Sequence, residues 1–268
     1  MLTAGLGALV GLVLALTGAG GGVLSVPLLV FVLHLPLNQA GPVGLLAVAL
    51  SAGIGAALGL RDRLVRYRAA AVMAGFGMAA SPIGLWLAQR VANRPLAILF
   101  GVVLAGSSIR MLMQGRRALS AAPGASLTDL GHRPLCVLDD VSGRLIWTLT
   151  CARAMAAAGL LSGLLSGLLG VGGGFVIVPA LRSVTSLPMR SIVATSLAVI
   201  ALVSVTGVLT AALLGSMPWP IAWPFALGAA IGLTVGRRAA RRLEGTHLQL
   251  GFAAVGLLVA VMMLLRVH

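Results

Sequence analysis

Two short stretches of the chain repeat one another. Residues 18 to 28 read GAGGGVLSVPL, and residues 170 to 180 read GVGGGFVIVPA. Glycine runs of this kind interrupt a helix, each glycine costing about 1 kcal/mol relative to alanine. They leave main-chain N–H groups bare at the start of the helix that follows, at the positive end of its dipole. That arrangement suits one task above others, holding a small anion. The candidate binding residues are therefore Gly18, Gly20, Gly21 and Gly22 in the first cluster and Gly170, Gly172, Gly173 and Gly174 in the second. Pro27 and Pro179 follow at the same spacing and read as hinge or structural positions.

Neutral hydroxyls near the clusters add hydrogen-bond donors. Thr17, Ser25, Ser162 and Ser166 lie close by in sequence, and Thr195 and Ser196 sit in the segment SIVATSLAV. Of these, Ser25, Thr195 and Ser196 join the candidate binding set. The first-half positions matching Thr195 and Ser196 are Val43 and Gly44, so the expected site is asymmetric. Hydroxyls in apolar helices often bond back to their own backbone, which is the competing reading.

Other chemistry finds little support in these residues. Asp62, Asp129, Asp139, Asp140 and Glu244 all fall between apolar runs, leaving no intramembrane carboxylate for a proton relay or a cation. His34 and His247 stand at run ends. No spacing suggests a metal site, and no nucleophile is paired with a base, so no catalytic residue is assigned. Val23 and Phe175 occupy the positions where a dinucleotide fingerprint needs its last glycine, and no cofactor is expected. Cys136 and Cys151 read as two free thiols on a reduced loop.

The elements that would position such a site are apolar throughout. The 268-residue chain is 59% hydrophobic and 9% charged, where soluble domains carry about a quarter charged residues. Apolar runs cover 42–60, 69–89, 95–109, 191–214, 219–236 and 247–265, and several match the roughly 20 residues that cross hydrocarbon. The expected class is all-α integral membrane, multi-pass in the lipid bilayer. The net charge of +14 comes from arginines placed between these runs, a pattern of topology signals and lipid headgroups rather than nucleic-acid binding.

An offset of 152 aligns the two halves without a gap. Gly11 meets Gly163, Gly18 meets Gly170, Pro27 meets Pro179, Pro36 meets Pro188, Gly84 meets Gly236 and Arg90 meets Arg242. The reading is a first membrane repeat at 1–113, a polar cytoplasmic linker at 114–152 and a second repeat at 153–268. If each glycine-broken stretch crossed the membrane, the arginines would divide 11 to 8 between the two sides. If each is a re-entrant pair of half-helices followed by three transmembrane helices, sixteen fall on one side. Only Arg90, Arg94 and Arg266 then remain on the other. The second threading makes the repeats inverted, places both chain ends outside the cytosol, and sets Trp86, Trp219 and Trp223 near the outer interface.

The duplicated GxGGGxxxxP segments and the stretch PMRSIVATS at residues 188–196 resemble the TauE/SafE sulfite-exporter family. The resemblance extends over the chain outside the linker. It implies an inner-membrane permease for small sulfur-containing or carboxylated anions such as sulfite or sulfonates, with no enzyme activity. It also implicates Ala194 beside Thr195 and Ser196. Alternating access around the paired breaks is the expected mechanism. A passive anion channel or a non-catalytic membrane assembly partner are the rivals, and the many small residues allow a homo-oligomer.

Overall fold

The computed structural model describes residues 2–17, 22–120, 136, 148–185, 187–240, 254, 256–263 and 265. Among them the regular elements are α1 (Leu2–Thr17), α2 (Gly22–Val32), α3 (Leu37–Arg61), α4 (Tyr67–Arg90), α5 (Asn93–Ser120), α6 (Leu149–Leu169), α7 (Gly174–Val184), α8 (Met189–Leu213) and α9 (Trp219–Ala240). Residues 256–263 are helical as well. The boundaries of α5 and α6 run into the range read as linker, most of which lies outside the described residues.

The protein is an all-α integral membrane protein. The helices Leu37–Arg61, Tyr67–Arg90, Leu149–Leu169 and Met189–Leu213, together with Trp219–Gly236, are each long and apolar enough to cross a bilayer. Their outward faces are apolar too. Ile83 and Leu87, Leu202 and Leu209, and Leu227, Ile231 and Val235 are all exposed at helical spacing. Such stripes would be a liability in water and are the ordinary face of a helix in lipid.

The duplication seen in the sequence reappears in element boundaries. α2 and α3 begin and end 152 residues before α7 and α8. α3 and α8 both start after an extended proline, Pro36 at φ −63°, ψ 149° and Pro188 at φ −62°, ψ 145°. The turn after each contains one left-handed residue, Arg63 at φ 54° and Gly215 at φ 66°.

Small residues set the helix pairings. Gly159, Gly163 and Gly167 of α6 lie against the main chain at Met73, Gly77 and Ser81 of α4. The numbers rise together, so α4 and α6 run parallel. Gly7 and Gly11 of α1 meet Phe225 and Ala229 of α9 in the same manner, a contact displaced by 152 residues on both partners. α4 also runs parallel to α8, with Gly77 near Val203, Ser81 near Gly207, and Gln89 Nε2 donating to Ser216 Oγ at 2.9 Å. α3 and α8 are antiparallel, since Gly59 lies at Ala194 and Gly207 at Leu45. In hydrocarbon no hydrophobic effect drives helices together, and these backbone-close contacts are what holds them.

Two apolar cores result, and they do not follow the sequence halves. The first joins Val10, Val26, Leu29, Val43 and Phe100 with Phe225 and Ala229 of α9. The second joins Met155, Ile177, Leu181, Ile200 and Val203 with Ala70 and Met73 of α4. Each half of the chain has lent one long helix to the other's core.

The arginines segregate by end. Arg61, Arg63, Arg66, Arg68, Arg110, Arg116, Arg117, Arg153, Arg182, Arg190, Arg237 and Arg238 lie toward the end where α3 and α9 finish and α4, α6 and α8 begin. Among the described residues, only Arg90 and Arg94 lie toward the other end. There Arg90 stacks over Trp86 at 4.1 Å, and Trp219 and Trp223 stack at 6.0 Å.

The cysteines correct the sequence reading. Cys136 and Cys151 form a disulfide, with Cα atoms 5.4 Å apart, and both are fully buried. Spacing alone did not disclose this, because the fold carries residue 136 to the end of α7. There its N–H donates to Val184 O at 2.9 Å. A thiol-alkylating reagent is expected to label neither cysteine in the folded, unreduced chain and both after reduction. Cys151→Ser should lower the melting temperature in detergent, since closing a loop of 15 residues contributes about 3 kcal/mol.

Candidate functional site

The second glycine cluster reverses the chain inside the bundle. α6 and α8 both run parallel to α4, so the segment between them must return toward the end from which α6 started. α7 makes this return, and its 11 residues span about 16 Å, half the hydrocarbon thickness. Gly170 ends α6 in the left-handed region (φ 71°, ψ 20°), and its N–H donates to Ser166 O at 2.8 Å. Gly172 and Gly173 are also left-handed, at φ 78° and φ 68°. Side-chained residues pay for that conformation. Ser162 Oγ donates to Gly173 O at 3.1 Å, fastening the start of α7 back onto α6.

This reversal lies halfway along the two most central helices. A Cβ at Gly172 would fall 2.5 Å from Val48 Cγ1, 3.1 Å from Ile200 Cγ2 and 3.2 Å from Ser204 Oγ. Val48 and Ile200 stand at the middle of α3 and α8. A Cβ at Gly41 would lie 3.5 Å from Gly170 Cα, and one at Gly44 would lie 2.8 Å from Gly170 O and 2.9 Å from Ser25 Oγ. Gly44, where the second half has Ser196, is thus a glycine because the reversal passes directly over it.

Gly18, Gly20 and Gly21 lie outside the described residues. Gly22, the last of that cluster, opens α2, and a Cβ there would meet Val171 O at 2.6 Å and Val48 Cγ2 at 2.9 Å. The described end of the first cluster therefore touches the second. Ser25 Oγ donates to Gly22 O at 2.5 Å.

The main-chain N–H groups of Val171, Gly172, Gly173, Gly174 and Phe175 donate no hydrogen bond within the described residues. Residues 171 to 174 are buried. α7 begins bonding only at Val176 and Ile177, which donate to Gly173 O at 3.0 and 3.2 Å. Consecutive unpaired donors at a helix N-terminus form an anion-binding concavity. Among the described residues no group of three metal-ligating side chains occurs, and the described carboxylate, Asp62, caps α3 at the arginine-rich end.

Thr195 and Ser196 sit elsewhere. Thr195 Oγ1 accepts from Arg66 N–H at 3.1 Å, joining α8 to the start of α4, and Ser196 Oγ donates to Val193 O at 2.9 Å. Both lie about 12 Å along α8 from Ser204. Pro27 is buried in α2 and Pro179 is half-buried in α7, each six residues into its short helix. The sequence reading passed over Gly41, Val48, Ile200 and Ser204, which wall the reversal. Gly41 followed by Gly44 on one helix face was a signal of close approach, whereas Ser204 had none.

The family described as Sulfite exporter TauE/SafE matches residues 3–263, and the chain belongs to that family. It is 31% identical over 199 residues to a protein of Xylella fastidiosa (strain 9a5c) named "Probable membrane transporter protein", covering 74% of this chain and 68% of the relative. A second such protein, from strain Temecula1, is 30% identical over the same shares. No solved structure matches the chain significantly. The protein is a multi-pass membrane transporter.

Gly173→Val should abolish transport. The left-handed φ costs about 1–2 kcal/mol with a side chain, and the new Cβ would press on Ser162 O at 2.6 Å. Gly75→Ala, where nothing lies within 4 Å, should leave transport intact and raise the melting temperature slightly. Flux and fluorescence-detected thermal stability of both variants check the contrast.

Proposed function

We propose that the chain is a secondary-type permease for a small anion, sulfite, an organosulfonate or a related carboxylate, working in the inner membrane with its arginine-rich end toward the cytoplasm. The observation that carries this reading is the run of five largely buried N–H groups from Val171 to Phe175, at the middle of the bundle, that donate no hydrogen bond among the described residues. Neutral donors at a helix dipole's positive end compensate an anion without binding a cation. The match to a sulfite-exporter family supports the sulfur-containing class.

The repeats are 1–113 and 153–268, inverted relative to one another and joined by the cytoplasmic linker 114–152. The antiparallel run of α3 against α8, which occupy corresponding positions, supports that reading. The two glycine breaks act as hinges. The anion sits against Gly170, Gly172, Gly173 and Gly174, with Gly18, Gly20, Gly21, Gly22 and Ser25 closing from the other half. Thr195 and Ser196 lie on the cytoplasmic side of the break and line the approach. Rocking of the first core against the second opens the break to one side and then the other.

Proteoliposomes holding the purified chain should take up labelled sulfite, taurine or sulfoacetate saturably, with uptake accelerated by the same anion inside. Flux that rises linearly with concentration and shows no such acceleration would replace the carrier with a channel. No flux of any of the three from folded protein would overturn the assignment.

A further inference from the structure

Several described hydroxyls in this bundle are spent on the backbone. Buried Ser25, Ser162 and Ser196 and half-buried Thr206 and Thr210 each donate to a main-chain carbonyl, the usual resolution for a hydroxyl in an apolar helix. Ser51, Ser81, Ser166 and Ser204 do not. Each has a side-chain oxygen that is fully buried and without a partner. A buried hydroxyl without a partner costs roughly 1–3 kcal/mol, so four in one small protein call for an explanation.

All four gather around the second glycine break. Ser204 Oγ faces Gly172, within 3.2 Å of where its Cβ would be. Ser166 lies one turn before Gly170 on α6, and its carbonyl holds the Gly170 N–H. Ser51 lies one turn along α3 from Val48, the residue packed on Gly172. Ser81 Oγ lies against Gly207, one turn beyond Ser204 on α8. Their counterparts 152 residues away are Val203, Leu233, Leu14 and Ala52, for Ser51, Ser81, Ser166 and Ser204 respectively. All four counterparts are buried apolar side chains. The hydroxyls have no duplicate at the first break.

We infer that the permease holds one anion per chain, at the second break alone, and that Ser204 is the side chain that completes its hydrogen bonding. This rests on the anion-permease reading and sharpens it. The N–H groups of residues 171 to 175 take the anion's oxygens from the α7 side, and the Ser204 hydroxyl donates from α8. Ser51 and Ser81 stand about a turn to either side of it, at levels spanning about 9 Å across the bundle centre, and take the anion as it moves off the break. The positions matching these four serines carry no hydroxyl, and the first break serves as the hinge partner through Gly22 and Ser25. Donors arriving from two directions fit a three-oxygen pyramidal or tetrahedral head better than a planar carboxylate. Ser204 therefore contributes to selection between the two.

The test is equilibrium binding of sulfite, methanesulfonate and acetate to the full chain in nanodiscs, by calorimetry. The wild type should bind sulfite with one site per chain. Ser204→Ala should weaken sulfite and methanesulfonate about ten- to a hundredfold and acetate much less, and Ser204→Cys should fall between. Thr206→Val, which removes a back-bonded hydroxyl, should leave all three affinities unchanged. The ligand-free melting temperature of Ser204→Ala should equal or exceed that of the wild type, because the hydroxyl it removes is unpaired. Two sites per chain, or wild-type affinities and anion preference in Ser204→Ala, would overturn this inference while leaving the permease intact. Absence of binding by the wild type to all three anions would overturn the permease reading and this inference with it.

Discussion

A main-chain polar group without a partner is expensive inside hydrocarbon, and the described structure is arranged around a place where several are left so. Helices satisfy their own backbone, which is why they fill this chain. Among the described residues, the stretch from Gly170 to Phe175 departs from this: three left-handed glycines turn the chain back, and the N–H groups of Val171 to Phe175 donate to no described residue. Such a stretch is tolerable only when shielded from lipid. α3 and α8 supply that shield together, since a Cβ at Gly172 would meet Val48 of one and Ile200 of the other. The α4–α6 and α1–α9 pairs flank them.

The shielding demands close approach, and close approach demands small side chains. Gly41 and Gly44 let α3 pass under Gly170, and Gly163 and Gly77 let α6 and α4 lie almost backbone to backbone. The same economy explains why the two cores exchange helices. α1 is only 16 residues long and cannot line a bilayer by itself, but against α9 its glycine face is fully covered. The glycine face of α6 is covered by α4 in the same way. The exchange ties each broken stretch to a long helix of the opposite half. Val48 belongs to the second core while Val43, a turn earlier on α3, belongs to the first. The reversal at Gly172 thus lies on the seam.

Much of this was legible in the residues. Apolar runs, paucity of acids and arginines between the runs identified a membrane protein, because lipid imposes composition on every spanning segment. The register of 152 was visible because glycine and proline are selected by backbone geometry and so repeat wherever the backbone repeats. The partnership of Cys136 and Cys151 was not legible, since their pairing depends on residue 136 lying at the end of α7. Nor was the occupation of Thr195 by the Arg66 N–H, which depends on α4 beginning beside α8.

By itself the sequence determined the solvent, the duplicated unit, the two glycine breaks and the sorting of arginines to one end. Each of these is written in local composition and spacing. Only the tertiary structure decided which helices exchange between cores, which hydroxyls are spent on the backbone, and which remain open. It brings Ser204 rather than Thr195 to the second break, and it sets Gly22 against Val171. The physical reason is that a serine in an apolar run looks the same in sequence wherever it lies. Whether its oxygen finds a carbonyl or no partner at all is settled by the packing of helices distant in the chain.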